Sequence, residues 1–488
     1  MNLLQRLRNI SKKLPEHEAL VYKGQKISYS QFDRLVNKTA DALLKLGIKE
    51  GDRVILCLLN CPEFVISYYA IMRIKAIVVP VNPAYTVAEL RTIVKDCTPS
   101  AIITSDIMAE KFIGQDKSEL IIVGKEFDRL IDSSNELQDE YHYNDNDTAV
   151  LLYTSGTTGV PKGVMLTHEN LYSNVSVIAK TLELNSTDRV MLVAPAYHSA
   201  AQTGCMNNAL YTGASLVIHD RWQGPKSVLA AIEAEKVTMF FGPPVFYQMI
   251  CSFPQYADYD TSFLRLALTG AAPLPEQIFN KFKDMFKLEI VEGYGLSEAS
   301  PVVSLVPLKG MKKSGSAGLP IDGVEVRIID EQGSDIPRGN IGEIAVKGPN
   351  VMKGYYNNEE ETRETFISGW LRTGDLGYMD DDGYIFIIDR KKDLIIRGGV
   401  NVYPREIEEL LSQHPKVHEV AVVGIPNDLL GEEVKAFVAS PQGVDINARE
   451  LKEFCRGKLA NYKIPRQFEF KEELPKNSTG KILKRKLV

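Results

Sequence analysis

The chain has 488 residues, a formal net charge of −6 and 44% hydrophobic residues, which fits a globular protein of two or more domains. The negative net charge excludes an overall positive surface potential that would attract nucleic acid, so polyanionic ligands would need local cationic patches. The six cysteines form no CxxC pair, which argues against a disulfide framework or a zinc site. The sequence shows neither a signal peptide nor a transmembrane stretch, and we predict a cytoplasmic protein.

The first part of the chain alternates apolar strands with amphipathic helices. A helix is predicted from Ser30, with Asp33 at the capping-box position. Strands at 54–59 and 76–81 flank a helix through 64–73. This alternation predicts an α/β fold whose large N-terminal region contains doubly wound, parallel sheets.

Residues 153–163 read YTSGTTGVPKG and lie between two strand-like runs. Glycine lets backbone N–H groups approach a phosphate, hydroxyls donate hydrogen bonds, and lysine adds positive charge. The order differs from the common GxxxxGK[ST] phosphate loop, because Pro161 precedes the lysine and Gly163 follows it. Composition alone would fit a surface loop equally well. The candidate phosphate contacts are Thr154, Ser155, Gly156, Thr157, Thr158, Gly159 and Lys162.

Beyond this loop, further strands are predicted at 190–194, 215–218, 237–241, 264–269 and 288–291, with helices between them. Ligands of open α/β sheets bind at the carboxyl ends of the strands. Small or functional residues follow four of these strands and predict one crevice. They are Pro195-Ala196-Tyr197-His198, Gly242-Pro243-Pro244, Gly270-Ala271-Ala272 and Glu292-Gly293-Tyr294-Gly295.

The pattern of predicted secondary structure changes after residue 314. Short alternating strands separated by Gly, Pro and Asp turns predict a small β-rich subdomain at 314–388 within an N-terminal domain of 1–388. The charged turn DRKKD at 389–393 is predicted as a hinge. A separate α+β pattern predicts a smaller, hinged C-terminal lid domain at 394–488.

Four further motifs decide how the loop is interpreted. GYGLSE at 293–298 offers a ring that can stack on a purine and a carboxylate that can ligate Mg²⁺. LRTGD at 371–375, DRKKD at 389–393 and STGK at 478–481 are weak signals in isolation. With the loop, and in this order, they resemble the adenylate-forming superfamily of acyl-CoA synthetases, nonribosomal-peptide adenylation domains and beetle luciferases. The chain looks most like a fatty-acid–CoA ligase, although the family usually has Thr at the position of Ser297.

The resemblance implies a role for each motif. Glu298, with Thr154, would hold Mg²⁺, and Asp375 would accept hydrogen bonds from the ribose. Lys392 falls at the family's hinge residue, and Lys481 would meet the carboxylate and the α-phosphate. The implied catalytic residues are Lys481, His198 and Glu298. Besides the loop, the implied nucleotide- and CoA-binding residues are Gly270, Ala271, Ala272, Glu292, Gly293, Tyr294, Gly295, Ser297, Asp375, Arg390, Lys392, Gly399 and Lys481.

The implied reaction joins a carboxylic acid to a thiol in two steps. ATP with Mg²⁺ activates the acid as acyl-AMP and pyrophosphate leaves; CoA then takes the acyl group. The resemblance also implies that Tyr197 and His198, an aromatic–His pair, gate the acyl pocket. Amino-acid-activating relatives carry an aspartate at this place, and its absence here argues against an amino-acid substrate. The candidate pocket walls are apolar and favour a medium- or long-chain fatty acid: Ala200, Ala201, Gly204, Phe240, Phe241, Gly242, Val302 and Val303.

Three other functions stay open on the sequence. They are an aryl-acid CoA ligase, an adenylating enzyme that loads a carrier protein in trans, and a nucleotide-binding homologue without activity. We expect no nucleic-acid partner. Peripheral membrane contact, a homodimer and a carrier protein as acceptor are left open.

Overall fold

The computed structural model describes residues 2–113, 118–137, 143–155, 161–440, 444, 446–476 and 482–487, with the backbone alone for Ser155. Short 3₁₀ turns and one π-helical turn, Gln202–Asn207, connect the longer elements. The α-helices are α1 Leu3–Lys13, α2 Tyr29–Lys45, α3 Pro62–Arg73, α4 Val87–Cys97, α5 Asp106–Ala109, α6 Lys125–Asp132, α7 His168–Thr181, α8 Ser199–Ala201, α9 Asn208–Thr212, α10 Pro225–Ala234, α11 Pro244–Cys251, α12 Glu276–Phe286, α13 Glu359–Thr365, α14 Pro404–Ser412 and α15 Ala448–Cys455.

The strands follow the predicted alternation with helices and then become more frequent after residue 314. They are β1 Glu18–Tyr22, β2 Gln25–Ser28, β3 Arg53–Cys57, β4 Ile77–Pro80, β5 Ala101–Thr104, β6 Glu119–Ile122, β7 Thr148–Ser155, β8 Pro161–Thr167, β9 Arg189–Leu192, β10 Ser215–Ile218, β11 Met239–Phe241, β12 Leu266–Thr269, β13 Ile290–Gly295, β14 Val302–Leu305, β15 Leu319–Pro320, β16 Glu325–Ile329, β17 Gly342–Lys347, β18 Gly354–Tyr355, β19 Phe366–Ile367, β20 Trp370–Met379, β21 Ile385–Arg390, β22 Ile395–Arg397, β23 Val400–Val402, β24 Glu419–Asn427, β25 Gly431–Ala439 and β26 Gln467–Lys471.

Two large sheets carry the N-terminal region. The first has the order β15-β14-β13-β12-β11-β9-β10-β1-β2 and is parallel from β13 to β1. The second has the order β18-β8-β7-β4-β3-β5-β6 and is parallel from β7 to β6. Parallel neighbours need crossover connections, and helices supply most of them here. The predicted α/β fold is confirmed.

The start of α2 was predicted incorrectly. The helix begins at Tyr29, and its capping box is formed by Ser28 and Gln31 rather than by Ser30 and Asp33. A glutamine at the third helical position closes the box as well as a carboxylate does. Asp33 is therefore released from capping and lies 3.6 Å from the Arg73 guanidinium.

The chain divides into two compact units. The first comprises Met1–Glu325 and Val346–Leu371, and the second comprises Val326–Ala345 and Arg372–Val488. The predicted β-rich segment 314–388 thus contributes strands to both units. The hinge at 389–393 concerns motion and stays a prediction.

The second unit has its own hydrophobic core. One of its sheets has the order β23-β22-β25-β24, with β26 beside β25, and α14 and α15 pack on it. The α+β pattern predicted for the smaller C-terminal domain is therefore present. Within the described ranges, no helix combines the length and apolar character that crossing a bilayer requires.

Candidate active site

The four predicted strand ends lie side by side in the first unit. β13, β12, β11 and β9 are consecutive parallel neighbours, so their carboxyl ends share one edge of the sheet. The Thr269 hydroxyl donates to the Gly242 carbonyl oxygen at 2.9 Å. A Cβ at Gly270 would lie 3.0 Å from the Gly293 carbonyl oxygen, so these two segments pass at backbone distance. The structure therefore brings the segments together as the sequence predicts.

Residues 293–298 leave this edge in a tight path. A Cβ at Gly295 would overlap the Pro301 carbonyl oxygen, so packing within the protein is sufficient to require glycine here. Ser297 and Glu298 follow on a 3₁₀ turn, and the Ser297 hydroxyl lies 3.3 Å from that of Ser199. Tyr294 and Glu298 are both half-buried, so each residue keeps part of its surface accessible.

The Glu298 carboxylate is held by a tyrosine that lies outside the motifs. Tyr355 Oη donates to Glu298 Oε1 at 3.0 Å. Burial, followed by the charge of Glu298, raises the pKa of Tyr355, so the phenol stays protonated and acts as the donor. The Glu298 carbonyl oxygen also accepts a hydrogen bond from the Met352 N–H at 2.8 Å.

The base of the predicted phosphate loop is a β-hairpin. Thr154 pairs with Lys162 across β7 and β8, and Tyr153 Oη donates to Asp96 Oδ2 at 2.5 Å. Lys162 forms an ion pair with Glu361 and lies over the Tyr355 ring, 5.6 Å from its centroid. The other predicted loop contacts lie outside the described residues: Gly156, Thr157, Thr158, Gly159 and the side chain of Ser155.

The predicted gate of the acyl pocket follows β9. The rings of Tyr197 and His198 are 4.8 Å apart, and burial lowers the pKa of His198 to about 4, so the imidazole is neutral near pH 7. A Cβ at the half-buried Gly204, in the following π-helical turn, would meet no atom within 4 Å apart from those of its chain neighbours and its own helical backbone. Phe240 instead packs in the hydrophobic core near Tyr247, while its neighbour Phe241 is half-buried on the alternate face of β11.

The predicted ribose motif belongs to the second unit. Asp375 and Arg390 are paired residues of β20 and β21, and Arg390 Nε lies 3.2 Å from Asp375 Oδ1. Asp375 is 7% exposed at its side chain and Arg390 is 43% exposed. The arginine can therefore turn toward a ligand at lower cost than the carboxylate can.

The segment after the ribose motif contains the predicted hinge and the predicted CoA-facing turn. Lys392 lies exposed on the 3₁₀ turn Lys391–Asp393. Gly398 and Gly399 form a two-residue turn between β22 and β23, with φ of 60° and 78°. Positive φ at both positions is the geometry that favours glycine in such hairpins. Lys481 lies outside the described residues.

Among the described residues, four that contact the predicted motifs were not predicted from the sequence. Asp96, Glu343, Tyr355 and Glu361 each contact a motif residue or its neighbour but are distant from it in sequence. Glu343, 6% exposed, accepts hydrogen bonds from the Arg372 guanidinium and the Gly374 N–H. No local pattern links partners at such separations, so only the tertiary structure reveals them.

The donor set of the first unit suits Mg²⁺ bound with a nucleotide. Within the described residues, no group of three or more His, Cys, Asp or Glu side chains could hold a metal ion. Mg²⁺ commonly takes one or two carboxylates and completes its shell with phosphate oxygens and water. Glu298, a single fixed carboxylate, fits that pattern.

Two family models match the chain. The model described as AMP-binding enzyme covers residues 7–356, and the one described as AMP-binding enzyme C-terminal domain covers 406–481. The chain belongs to the AMP-binding enzyme family. The predicted resemblance to adenylate-forming enzymes and the predicted class, an AMP-forming acyl-CoA synthetase, are confirmed.

Known members of the AMP-binding family resemble the chain over nearly its whole length. It is similar to a long-chain-fatty-acid–CoA ligase of Bacillus subtilis (37% identity; 98% of this chain, 92% of the relative). It is also similar to a feruloyl-CoA synthase of an Amycolatopsis species (38% identity; 96% of this chain, 95% of the relative). Among solved structures, ATP-bound MatB from Rhodopseudomonas palustris superposes with a TM-score of 0.94 at 31% identity, over 100% of this chain and 98% of that one.

Proposed function

We propose that this enzyme activates a medium- or long-chain fatty acid as acyl-AMP, with release of pyrophosphate, and transfers the acyl group to CoA. The observation that carries the choice of acid is the open space beside Gly204, on the helical segment that follows the His198 gate. Three of the predicted pocket walls, Ala200, Phe241 and Val302, are half-buried and apolar. Binding against an apolar wall is favoured by about 0.8 kcal/mol for each methylene removed from water, so such a wall favours an alkyl chain.

In the first step the residues of the site mainly screen charge. A carboxylate is already ionised near neutral pH and needs no general base, but it must approach a triphosphate. Glu298, with Thr154, would hold Mg²⁺, which neutralises charge on the phosphates. The loop at 154–162 would donate hydrogen bonds to the phosphates, and Lys481 would add a cation at the reacting carboxylate.

The rest of the nucleotide would be held by motif residues. Tyr294 would stack on the adenine, Asp375 would accept hydrogen bonds from the ribose hydroxyls, and Arg390 would contact ribose or phosphate. The remaining predicted residues would contact the nucleotide mainly through backbone atoms and small side chains: Gly270, Ala271, Ala272, Glu292, Gly293, Gly295 and Ser297.

In the second step a thiol attacks the acyl-adenylate carbonyl carbon and AMP leaves. We assign Lys392 to the hinge that separates the two steps and Gly399 to the pantetheine of CoA. We also retain the cytoplasm as the location, because all six cysteines are free and five of them are buried, as expected in a reducing compartment.

Pyrophosphate exchange tests the proposal. The full chain is supplied with ATP, Mg²⁺ and one acid at a time from acetate, octanoate, palmitate and ferulate. We expect exchange with octanoate or palmitate to exceed that with acetate and ferulate by about tenfold or more. Strongest exchange with acetate would contradict the proposed acid.

An aryl-acid CoA ligase is the second candidate. The 38% identity to a feruloyl-CoA synthase supports it, and ferulate in the same panel decides between the two. The acceptor is tested separately by offering CoA and a phosphopantetheinyl carrier protein to the acyl-adenylate. Faster transfer to the carrier would replace CoA as the proposed acceptor.

A further inference from the structure

Tyr355 stands between two oppositely charged residues of the first unit. Its hydroxyl donates to Glu298 Oε1 at 3.0 Å, and its ring lies beneath the Lys162 ammonium, 5.6 Å from the centroid. A cation within about 6 Å of a ring centroid is attracted to the face of the ring. One aromatic side chain therefore contacts both the carboxylate of GYGLSE and the lysine of the phosphate-loop hairpin.

The backbone around Tyr355 leaves its ring little freedom. β18 pairs antiparallel with β8, placing Tyr355 opposite Val164. The Tyr355 N–H donates to Thr362 Oγ1 at 2.9 Å, and that hydroxyl donates to the Asn358 carbonyl oxygen at 2.8 Å. A Cβ at Gly354 would lie 2.8 Å from Thr362 Cγ2, so glycine permits this close approach.

The lysine above the ring is also fixed. Its side chain is only 9% exposed and forms an ion pair with Glu361 in the first turn of α13. The Glu361 N–H in turn donates to Asn358 Oδ1 at 3.1 Å, which anchors that turn. A largely buried ammonium needs a paired carboxylate, so Glu361 stabilises Lys162 in its position over Tyr355.

We propose that Tyr355 is a positioning residue that orients the Glu298 carboxylate for Mg²⁺, and that the Lys162–Glu361 ion pair holds the Tyr355 ring in place. The inference rests on the proposed function, which assigns Mg²⁺ to Glu298. Groups that hydrogen-bond a metal ligand fix its direction, and their loss typically weakens metal binding by roughly 10- to 100-fold.

Calorimetric binding of ATP to the full chain, with Mg²⁺ or with EDTA, tests the role of Tyr355. Tyr355→Phe removes the hydroxyl and keeps the ring over which Lys162 lies. We expect the Kd for Mg²⁺–ATP to rise about tenfold and the Kd for metal-free ATP to stay unchanged. Tyr256→Phe, which removes a hydroxyl from a tyrosine packed near Phe286, should change neither value. An equal loss with and without Mg²⁺ would overturn the proposal.

Glu361→Gln tests the second half of the inference. Loss of the ion pair should loosen the ring and raise the Kd for Mg²⁺–ATP about threefold, again without an effect on metal-free ATP. Glu360→Gln, at the exposed neighbouring position, is the matched control and should leave both values unchanged. An equal change in the Kd values for Mg²⁺–ATP and for metal-free ATP in Glu361→Gln would show that the ion pair does not act through Tyr355 and Mg²⁺, and the ring-holding role would be refuted.

The proposed function and the role of Tyr355 can be refuted separately. Absence of acid-dependent pyrophosphate exchange in the unmodified chain refutes the proposed function, whatever the binding data show. Normal exchange in the unmodified chain, combined with full Mg²⁺ dependence of ATP binding in Tyr355→Phe, refutes only the role of Tyr355. Thermal unfolding of each variant verifies that it is folded before binding is measured.

Discussion

The two compact units support their motif residues in different ways. In the second unit, Asp375 and Arg390 are direct partners across β20 and β21, so the ladder that forms the motif also positions it. In the first unit, Glu298 is held by Tyr355, which lies 57 residues away in the chain. The Asp375–Arg390 contact belongs to one hairpin, although Glu343 of β17 also contacts Arg372 and Gly374, whereas the Glu298 contact needs a segment from elsewhere in the chain. The following experiments test this contrast.

Lys481→Ala should give the largest effect. If Lys481 screens the carboxylate and the α-phosphate, its loss should raise the barrier to adenylation by roughly 3–4 kcal/mol, by analogy with removal of one oxyanion donor. Thioester formation from preformed acyl-adenylate should change far less. The two half-reactions are measured separately by pyrophosphate exchange and by CoA acylation. Equal losses in both would show that the assignment is wrong.

Lys392→Pro should affect the two half-reactions in the opposite way to Lys481→Ala. Proline fixes φ and removes the backbone N–H at the predicted hinge, so we expect adenylation to survive and thioester formation to fail. The same two assays are used. An undiminished thioester rate would place the hinge elsewhere.

Glu343→Gln tests whether the second unit also depends on distant support. The buried carboxylate accepts hydrogen bonds from Arg372, Gly374 and Lys391, and a neutral amide would leave the two cations without their charge partner. We expect a loss of about 2–3 kcal/mol in the free energy of unfolding, because the carboxylate is buried while its partners are partly solvated. Hydrogen exchange at residues 372–391 measures it. Asp381→Asn, in an exposed turn, should leave protection unchanged.

Asp375→Asn should weaken ATP binding with little effect on the acid. Hydrogen bonds to a charged acceptor contribute about 1.5–3 kcal/mol, so we expect the KM for ATP to rise roughly 10- to 100-fold. The KM for the fatty acid should stay the same. A uniform fall in kcat without a change in the KM for ATP would contradict contact with the ribose.

We expect the smallest effect from His168 in the first unit, whose protonation should lower the free energy of unfolding at acidic pH. Burial lowers the pKa of His168 to about 4, below the ordinary 6.5 that it regains on unfolding. Between these values the unfolded chain binds the extra proton, so stability rises with pH through the window and is fully present above 6.5. One pH unit below 6.5 the expected loss is about 1.4 kcal/mol.

Urea unfolding across that window measures the effect of His168. His168→Asn should flatten part of the pH dependence, while His198, whose pKa is lowered in the same direction, should retain its share. A variant as pH-dependent as the parent chain would exclude His168 as the source.

The strand–helix alternation, the shared sheet edge and the family of this enzyme can be predicted from its sequence, because the patterns that indicate them are local. Period-two and helical patterns predict the alternating strands and helices, and small residues after β9, β11, β12 and β13 predict a shared edge. Ordered motifs such as GYGLSE predict the family, since each needs only a few adjacent residues to bring a ring, a hydroxyl and a carboxylate into reach.

Other features depend on contacts between distant residues and only the tertiary structure decided them. Phe240, predicted to line the acyl pocket, packs in the hydrophobic core near Tyr247 instead. The grouping of 326–345 with 372–488 follows from strand packing that composition does not record. Tyr355 and Glu361 contact Glu298 and Lys162 because the short strand β18 pairs with β8 of the phosphate-loop hairpin and α13 follows β18. Their side chains become partners only when the chain has folded, because burial and distance create the interaction.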